Sequence, residues 1–176
     1  TIMEMEEGLD TGPMLMMERV AIAASDTTAT LHDKLAALGG QMIVAALREL
    51  EQGNVKAIPQ PEAGVTYAAK ISKDEAAIDF SLTSSAIARK IRAFNPFPGA
   101  HAQVNGVTIK IWNAEALPAG SSTLPGQVLA ADAQHGIVVA CKEGTLRLNE
   151  LQKPGGKRLP AQEFLKGFPL EGLCFD

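Results

Sequence analysis

Cysteine is nearly absent: Cys141 and Cys174 are the only two in 176 residues. They lack metal-ligand spacing and do not form a disulfide framework, so a reducing cytoplasm is the compartment expected. Histidine is equally sparse. His32, His101 and His135 fall in different segments with no ligand spacing, and no metal site is expected from them. Long apolar runs are missing too, as is any charged-then-apolar opening segment, so the expectation is a soluble protein with neither a membrane span nor a signal peptide. Nor is there strong basicity, the net charge being −4. The glycine-rich loop Lys153-Pro154-Gly155-Gly156-Lys157-Arg158 has no Gly-Lys-Ser/Thr after a spaced glycine, which excludes the phosphate loop of nucleotide hydrolases.

What is present divides unevenly. Up to Val65 ten acids face four bases, net −6, whereas from Thr66 onward twelve bases face ten acids, net +2. Such a split points to two units with different partners. The length allows one or two domains with a real core.

The chain opens without methionine, and its first residues alternate as a strand does, with Met3 and Met5 on one side and Glu4 and Glu6 on the other. A strand with nothing upstream to pair with is read here as a piece of something longer. A turn over Gly8 to Pro13 and a second strand over Met14 to Ile22 are expected to follow. Leu9-Asp10-Thr11-Gly12 lies in that turn. Asp followed by Thr-Gly forms an ordinary tight turn, and its carboxylate could also orient a histidine or relay a proton. Aspartic proteases share the tripeptide but need two such carboxylates. With one copy, a protease would have to be a symmetric dimer, and the long helix that follows argues against one.

That helix is expected to start between Asp26 and Thr30 and to end at Gly53-Asn54, with Gly39-Gly40 as a candidate kink. Leu31, Leu35, Leu38 and Met42 form one apolar stripe and Ile43, Leu47 and Leu50 another, too much for a lone exposed helix. Residues 54–66, with Pro59, Pro61 and Gly64, read as a linker between units 1–53 and 67–176. Tyr67 to Phe80 is expected to be irregular.

A basic amphipathic helix then runs into an aromatic corner. Ile87, Ile91 and Phe94 share a stripe, Arg89 and Arg92 lie opposite, and Lys90 sits at the edge. Pro96 should stop the helix near Phe94, and the two phenylalanines Phe94 and Phe97 are expected to plug the end of a barrel. Short strands follow over 100–104 and 107–112, joined by Asn105-Gly106, and over 126–131, 136–141 and 145–151, with a last helix from Pro160 to Lys166. The fold expected is mostly β with helices: five short antiparallel strands closing a small barrel, of which the oligonucleotide-binding type is one option. Arg89, Lys90, Arg92, Lys153, Lys157 and Arg158 are the candidate phosphate contacts, with solvation of the same cations as the ordinary alternative.

Taken together, the segments Met5 to Leu15, Thr30 to Leu35, Ile91 to Ala100 and Leu151 to Lys157 resemble the methionyl-tRNA formyltransferases in order and spacing. The resemblance covers the last part of such an enzyme. It implies a residual β-hairpin and long helix from a truncated α/β formyltransferase domain, followed by an OB-like barrel. It also implies transfer of a formyl group from 10-formyltetrahydrofolate to the amino group of methionine on initiator tRNA, with Asp10 as the one catalytic residue of the family's Asn, His and Asp set retained here. No Asn-x-His segment occurs in the sequence, so the 176-residue chain alone is expected to be inactive. Two relatives of the same chemistry, sugar formyltransferases and formyltetrahydrofolate dehydrogenases, stay open as alternatives, as does a stand-alone nucleic-acid-binding module. Self-association through the Leu31 to Leu50 helix is also expected.

Overall fold

A computed structural model describes residues 1–118 and 123–176, and the chain separates into two compact units, residues 1–70 and 71–176.

In the first unit β1 (Ile2–Met3) pairs antiparallel with β2 (Met14–Met16). The strand expected to reach Ile22 stops at Met16. Partners decide its length, because β1 supplies two residues and Ile58 one further bridge, with Met14 N–H to Ile58 O at 2.7 Å and Ile58 N–H to Met14 O at 2.9 Å. Ile58 lies in the segment read as a linker, so part of that segment is fastened to the hairpin.

Helix α1 (Thr28–Glu51) is capped by Thr27, whose hydroxyl accepts from the Thr30 amide while the Thr30 hydroxyl accepts from the Thr27 amide. Asp26 braces this start. Its carboxylate accepts from Lys34 Nζ at 2.7 Å, the Ala23 amide at 2.7 Å and the Thr30 hydroxyl at 2.9 Å. These bonds, that of Lys34 foremost, hold its pKa below the ordinary carboxylate value. The helix runs unbroken through Gly39-Gly40, contrary to the kink expected there; a Cβ on either glycine would meet nothing within 4 Å. Met42 and Ala46 are buried, whereas Leu35, Ile43, Val44, Leu47 and Leu50 are exposed.

The second unit is a curled antiparallel sheet around an apolar core. Its elements are α2 (Ser84–Ala93), β3 (His101–Val104), β4 (Val107–Leu117), β5 (Val128–Asp132), β6 (Gly136–Ala140), β7 (Thr145–Gln152), β8 (Leu159–Pro160) and α3 (Ala161–Gly167). The strand order is β3-β4-β7-β6-β5, and β8 takes the place beside β7 that β6 leaves after Leu148. Asn105 and Gly106, at φ 50° and 72°, form the expected two-residue turn between β3 and β4. β4 outruns its expected end at Trp112 because β7 keeps pairing with it as far as Leu117 opposite Thr145.

Residues 173–176 join the two outer strands of this sheet. The Val128 amide donates to Leu173 O at 2.9 Å, the Phe175 amide to Gly126 O at 2.8 Å, and the Asp176 amide to Gln103 O at 2.9 Å. Phe175 is buried against Phe80, with ring centroids 5.6 Å apart.

The core contains Ile87 and Ile91 of α2, Ile109, Ile111, Leu146, Leu148 and Leu151 of the sheet, and Phe164 of α3. Ala76, Ile78 and Phe80 enter it from a segment expected to be irregular: after a short 3-10 turn at Asp74–Ala76 the chain is extended, and alternate residues point inward. Cys141 is buried, which pushes its thiol pKa up to about 11 and leaves it protonated at neutral pH.

Phe94 fills the end of the core, but Phe97 does not. The Gly99 amide bonds back to Phe94 O at 2.9 Å, so residues 95–98 form an outward loop and Phe97 stays 64% exposed.

Candidate nucleic-acid interface and acidic turn

Trp112 ties the aromatic corner to the glycine-rich loop. It follows Ile111, where a bulge interrupts the β4–β7 register, and its ring is almost fully covered. The Asn95 side-chain amide donates to Trp112 O at 2.9 Å, fixing the end of α2 to β4. The Trp112 indole N–H donates to Gln152 Oε1 at 2.8 Å, and Gln152 Nε2 donates to Gly156 O at 2.7 Å. A Cβ on Gly99 would lie 2.9 Å from the indole, so this glycine is required by the close approach of corner and ring as well as by its φ of +88°.

Cations cover the indole. Arg158 Cζ sits 3.5 Å from a Trp112 ring centroid, and Lys110 Nζ lies 5.3 Å from it, with a long contact of 3.5 Å to Pro98 O. Lys153 Nζ donates to Gly167 O at 3.2 Å and lies 5.8 Å from the Phe168 ring. The loop 153–158 is thus anchored at both ends, while Lys157 and Arg158 remain exposed. Lys110, Lys153, Lys157 and Arg158 form no ion pair with a carboxylate among the described residues. Cations seated this way keep their charge available for an anion.

The three cations of α2 are less alike. Arg89 is exposed and pairs with no carboxylate among the described residues. Arg92 donates back to Ala88 O at 3.3 Å. Lys90 is engaged with the protein itself: its Nζ donates to Ala77 O at 2.6 Å, lies 5.9 Å from the Phe94 ring, and helps hold the Asp79 pKa down after the larger effect of Asp79's bonds with Ser81. Charge along the sequence does not separate the three. Nor does it mark Lys110, Asn95, Trp112 and Gln152, whose pairing spans strands and leaves no local pattern.

In the first unit Asp10 occupies the turn between β1 and β2 with φ 55°. Gln60 holds that turn through its side-chain amide, which donates to Asp10 O at 2.8 Å and Gly12 O at 2.7 Å. Gly12 is buried, and a Cβ there would fall 1.9 Å from Glu4 O. The Asp10 side chain is exposed, with no hydrogen bond to its carboxylate among the described residues.

Residues 70–169 match the family model described as formyl transferase, C-terminal domain, and residues 1–47 match the one described as formyl transferase. The chain belongs to the formyl transferase family. Among its formyl transferase relatives, the methionyl-tRNA formyltransferase of Herminiimonas arsenicoxydans is 62% identical over 175 residues, covering 99% of this chain and 55% of that protein. The methionyl-tRNA formyltransferase of Janthinobacterium sp. (strain Marseille) is 63% identical over 175 residues, with the same coverage of 99% and 55%. The chain therefore spans about half the length of these curated relatives. Among solved structures, HypX from Aquifex aeolicus in complex with tetrahydrofolic acid has a TM-score of 0.69 at 21% identity, over 94% of this chain and 29% of that one. The N-formyltransferase from Helicobacter canadensis, solved with folinic acid and dTDP-3-aminofucose, has a TM-score of 0.61 at 18% identity, over 85% and 53%. At those identities the structures establish the formyl transferase fold and nothing finer. No helix among the described residues is long and apolar enough to cross a membrane.

Proposed function

We propose that this chain is part of an enzyme that moves a formyl group from 10-formyltetrahydrofolate to the amino group of methionine esterified to initiator tRNA. In this reading residues 71–176 form an OB-like barrel that holds the RNA, and Asp10 supplies one carboxylate of the reaction centre. The observation that carries the acceptor is the indole-seated Arg158 beside Lys110, on a loop that also carries Lys153 and Lys157, four cations without carboxylate partners among the described residues. A nucleotide-linked sugar amine offers such cations one diphosphate, whereas an RNA strand offers a run of phosphates to all four. Arg89 and Arg92 extend the same proposal to the exposed side of α2, and Lys90 adds charge there while braced against the protein.

The amine must lose a proton as it attacks the formyl carbon. An exposed carboxylate on a turn fixed by Gln60 suits a residue that orients the group shuttling that proton. The sequence has no Asn-x-His segment, so the 176-residue chain by itself binds RNA without turnover in this reading. Translation in the cytoplasm is its setting.

The test is tRNA affinity across a salt series. Replacing both Lys157→Glu and Arg158→Glu should lower affinity about tenfold or more at low salt. The slope of log K against log salt should flatten by roughly 1.4 to 1.8, at about 0.7 to 0.9 for each of two phosphates no longer neutralised. An unchanged slope removes the loop from the RNA surface. The exposed Leu35, Ile43, Val44, Leu47 and Leu50 of α1 support pairing of the isolated chain through that helix. Light scattering is expected to give twice the monomer mass, falling towards the monomer in Leu47→Glu; a monomeric mass for the unaltered chain overturns the pairing.

A further inference from the structure

We infer that the outward loop at residues 95–98, together with Lys110 and Arg158, is a seat for one unpaired nucleotide of the RNA, with the Phe97 ring stacking on its base and the two cations holding its phosphate. This rests on the RNA-binding reading above and adds to it a structural preference: single strand over duplex.

Phe97 has no packing role to explain it. Its neighbour Phe94 is buried at 9% exposure while Phe97 is 64% exposed, on a loop fixed at one end by the Asn95 bond to Trp112 O and at the other by the Gly99 bond to Phe94 O. An aromatic ring displayed from a braced loop loses little conformational entropy when a second ring stacks on it. Immediately beside it, Lys110 Nζ lies 3.5 Å from Pro98 O, and Lys110 Cδ lies 3.4 Å from where a Cβ on Gly99 would be. Trp112, which carries Arg158 on its ring, is in contact with the same glycine. Loop, ammonium and guanidinium therefore share one patch. The Arg158 donors have no acceptor and no carboxylate partner among the described residues, so they are available to a phosphate.

The ring decides the form of the nucleic acid. Inside a duplex both faces of each base are covered by neighbours, and a protein ring has nothing to stack on. An unpaired nucleotide offers an open face, and an aromatic platform beside a cationic track is the usual means of holding one. Contacts from Lys110 and Arg158 alone would bind either form through its phosphates. Phe97 adds the discrimination.

The experiment compares a short single-stranded oligoribonucleotide with a blunt RNA duplex of equal phosphate count, by fluorescence anisotropy with the 176-residue chain at low salt. Phe97→Ala is expected to weaken single-strand binding roughly tenfold, the order produced by removing one base–aromatic stack. It should leave duplex binding and both salt slopes unchanged, because every phosphate keeps its cation. Phe97→Trp should restore single-strand affinity. Arg158→Ala should lower both affinities and both slopes. Equal single-strand affinity for Phe97→Ala and the unaltered chain, or an equal loss for both RNAs, overturns the seat while leaving RNA binding intact. Failure of the unaltered chain to bind either RNA overturns the RNA reading itself. Phe97 is exposed; an unchanged Trp112 emission spectrum verifies that Phe97→Ala is folded, and an unchanged circular dichroism spectrum does so for Phe97→Trp, which adds a second tryptophan.

Discussion

Gly126→Ala is expected to lower the urea midpoint of the 71–176 unit by at least about 1.5 M, and the loss has three separable causes. Gly126 sits at φ +88°, a left-handed conformation that costs an L side chain about 1–2 kcal/mol. Its Cβ would fall 2.2 Å from Phe175 O, a backbone atom with no rotamer to retreat into. Moving that backbone strains the Phe175 bond to Gly126 O and the Val128 bond to Leu173 O, each worth about 0.5–1.5 kcal/mol. It also uncovers part of the buried Phe175, whose complete burial contributes about 1.5–3 kcal/mol. The sum, about 3–6 kcal/mol, is a large share of the roughly 5–15 kcal/mol that stabilises a domain. At a urea slope of about 1–2 kcal/mol per molar it gives the stated shift. Trp112 is the single tryptophan and is buried in this unit, so its fluorescence follows the transition directly. Gly136→Ala is the control: φ is +73° there, but a Cβ meets nothing within 4 Å, so only the conformational strain applies. Equal shifts for the two variants would show that residues 173–176 add nothing to the sheet.

Trp112→Ala should be nearly as damaging and should also disconnect the proposed RNA surface. Truncating a covered tryptophan costs about 3–5 kcal/mol in lost burial and cavity. The Gln152 oxygen loses its indole donor, and Arg158 loses the ring beneath its guanidinium. Loop 153–158 then keeps the Lys153 bond to Gly167 O, the Gly156 amide bond to Lys153 O at 3.0 Å and the Gln152 bond to Gly156 O, the last on a side chain no longer held by the indole. Under conditions where circular dichroism shows the variant folded, its RNA affinity should fall at least as far as that of Arg158→Ala. Arg158→Ala itself should change stability by no more than about 1 kcal/mol, the scale of one exposed cation–π contact. Full RNA affinity in a folded Trp112→Ala protein would show that the stack does not position the loop.

Local chemistry made much of this fold legible. Asn105-Gly106 announced its hairpin because two consecutive positive φ values select those residues. Ile87, Ile91 and Phe94 announced the buried face of α2 by their spacing, and all three are buried. Illegible features were those settled by distant partners. β2 is short because little lies beside it, which its own alternation cannot report. Phe97 looked like a plug on composition, yet a backbone bond from Gly99 to Phe94 turns it outward. Ala76, Ile78 and Phe80 alternate, but Lys73, Asp74 and Glu75 just before them and Asp79 among them hid the pattern. At the site, charge marked Lys157 and Arg158 while it could not separate them from Lys90, whose ammonium is spent on Ala77 O. Likewise nothing near Asp10 in the sequence signals Gln60, whose side chain holds the turn from far along the chain.

The bridging role of Leu173–Asp176 sets the order of events at the ribosome. β3 and β5 emerge long before the residues that bond to both, so a nascent chain halted anywhere ahead of Leu173 carries an open β5 edge and, on β3, an open Gln103 position beside His101, whose carbonyl the Ile78 amide already holds at 2.8 Å. Each is a template for a strand from a neighbouring polypeptide on the same polysome, and stalled synthesis late in this unit is where aggregation should begin.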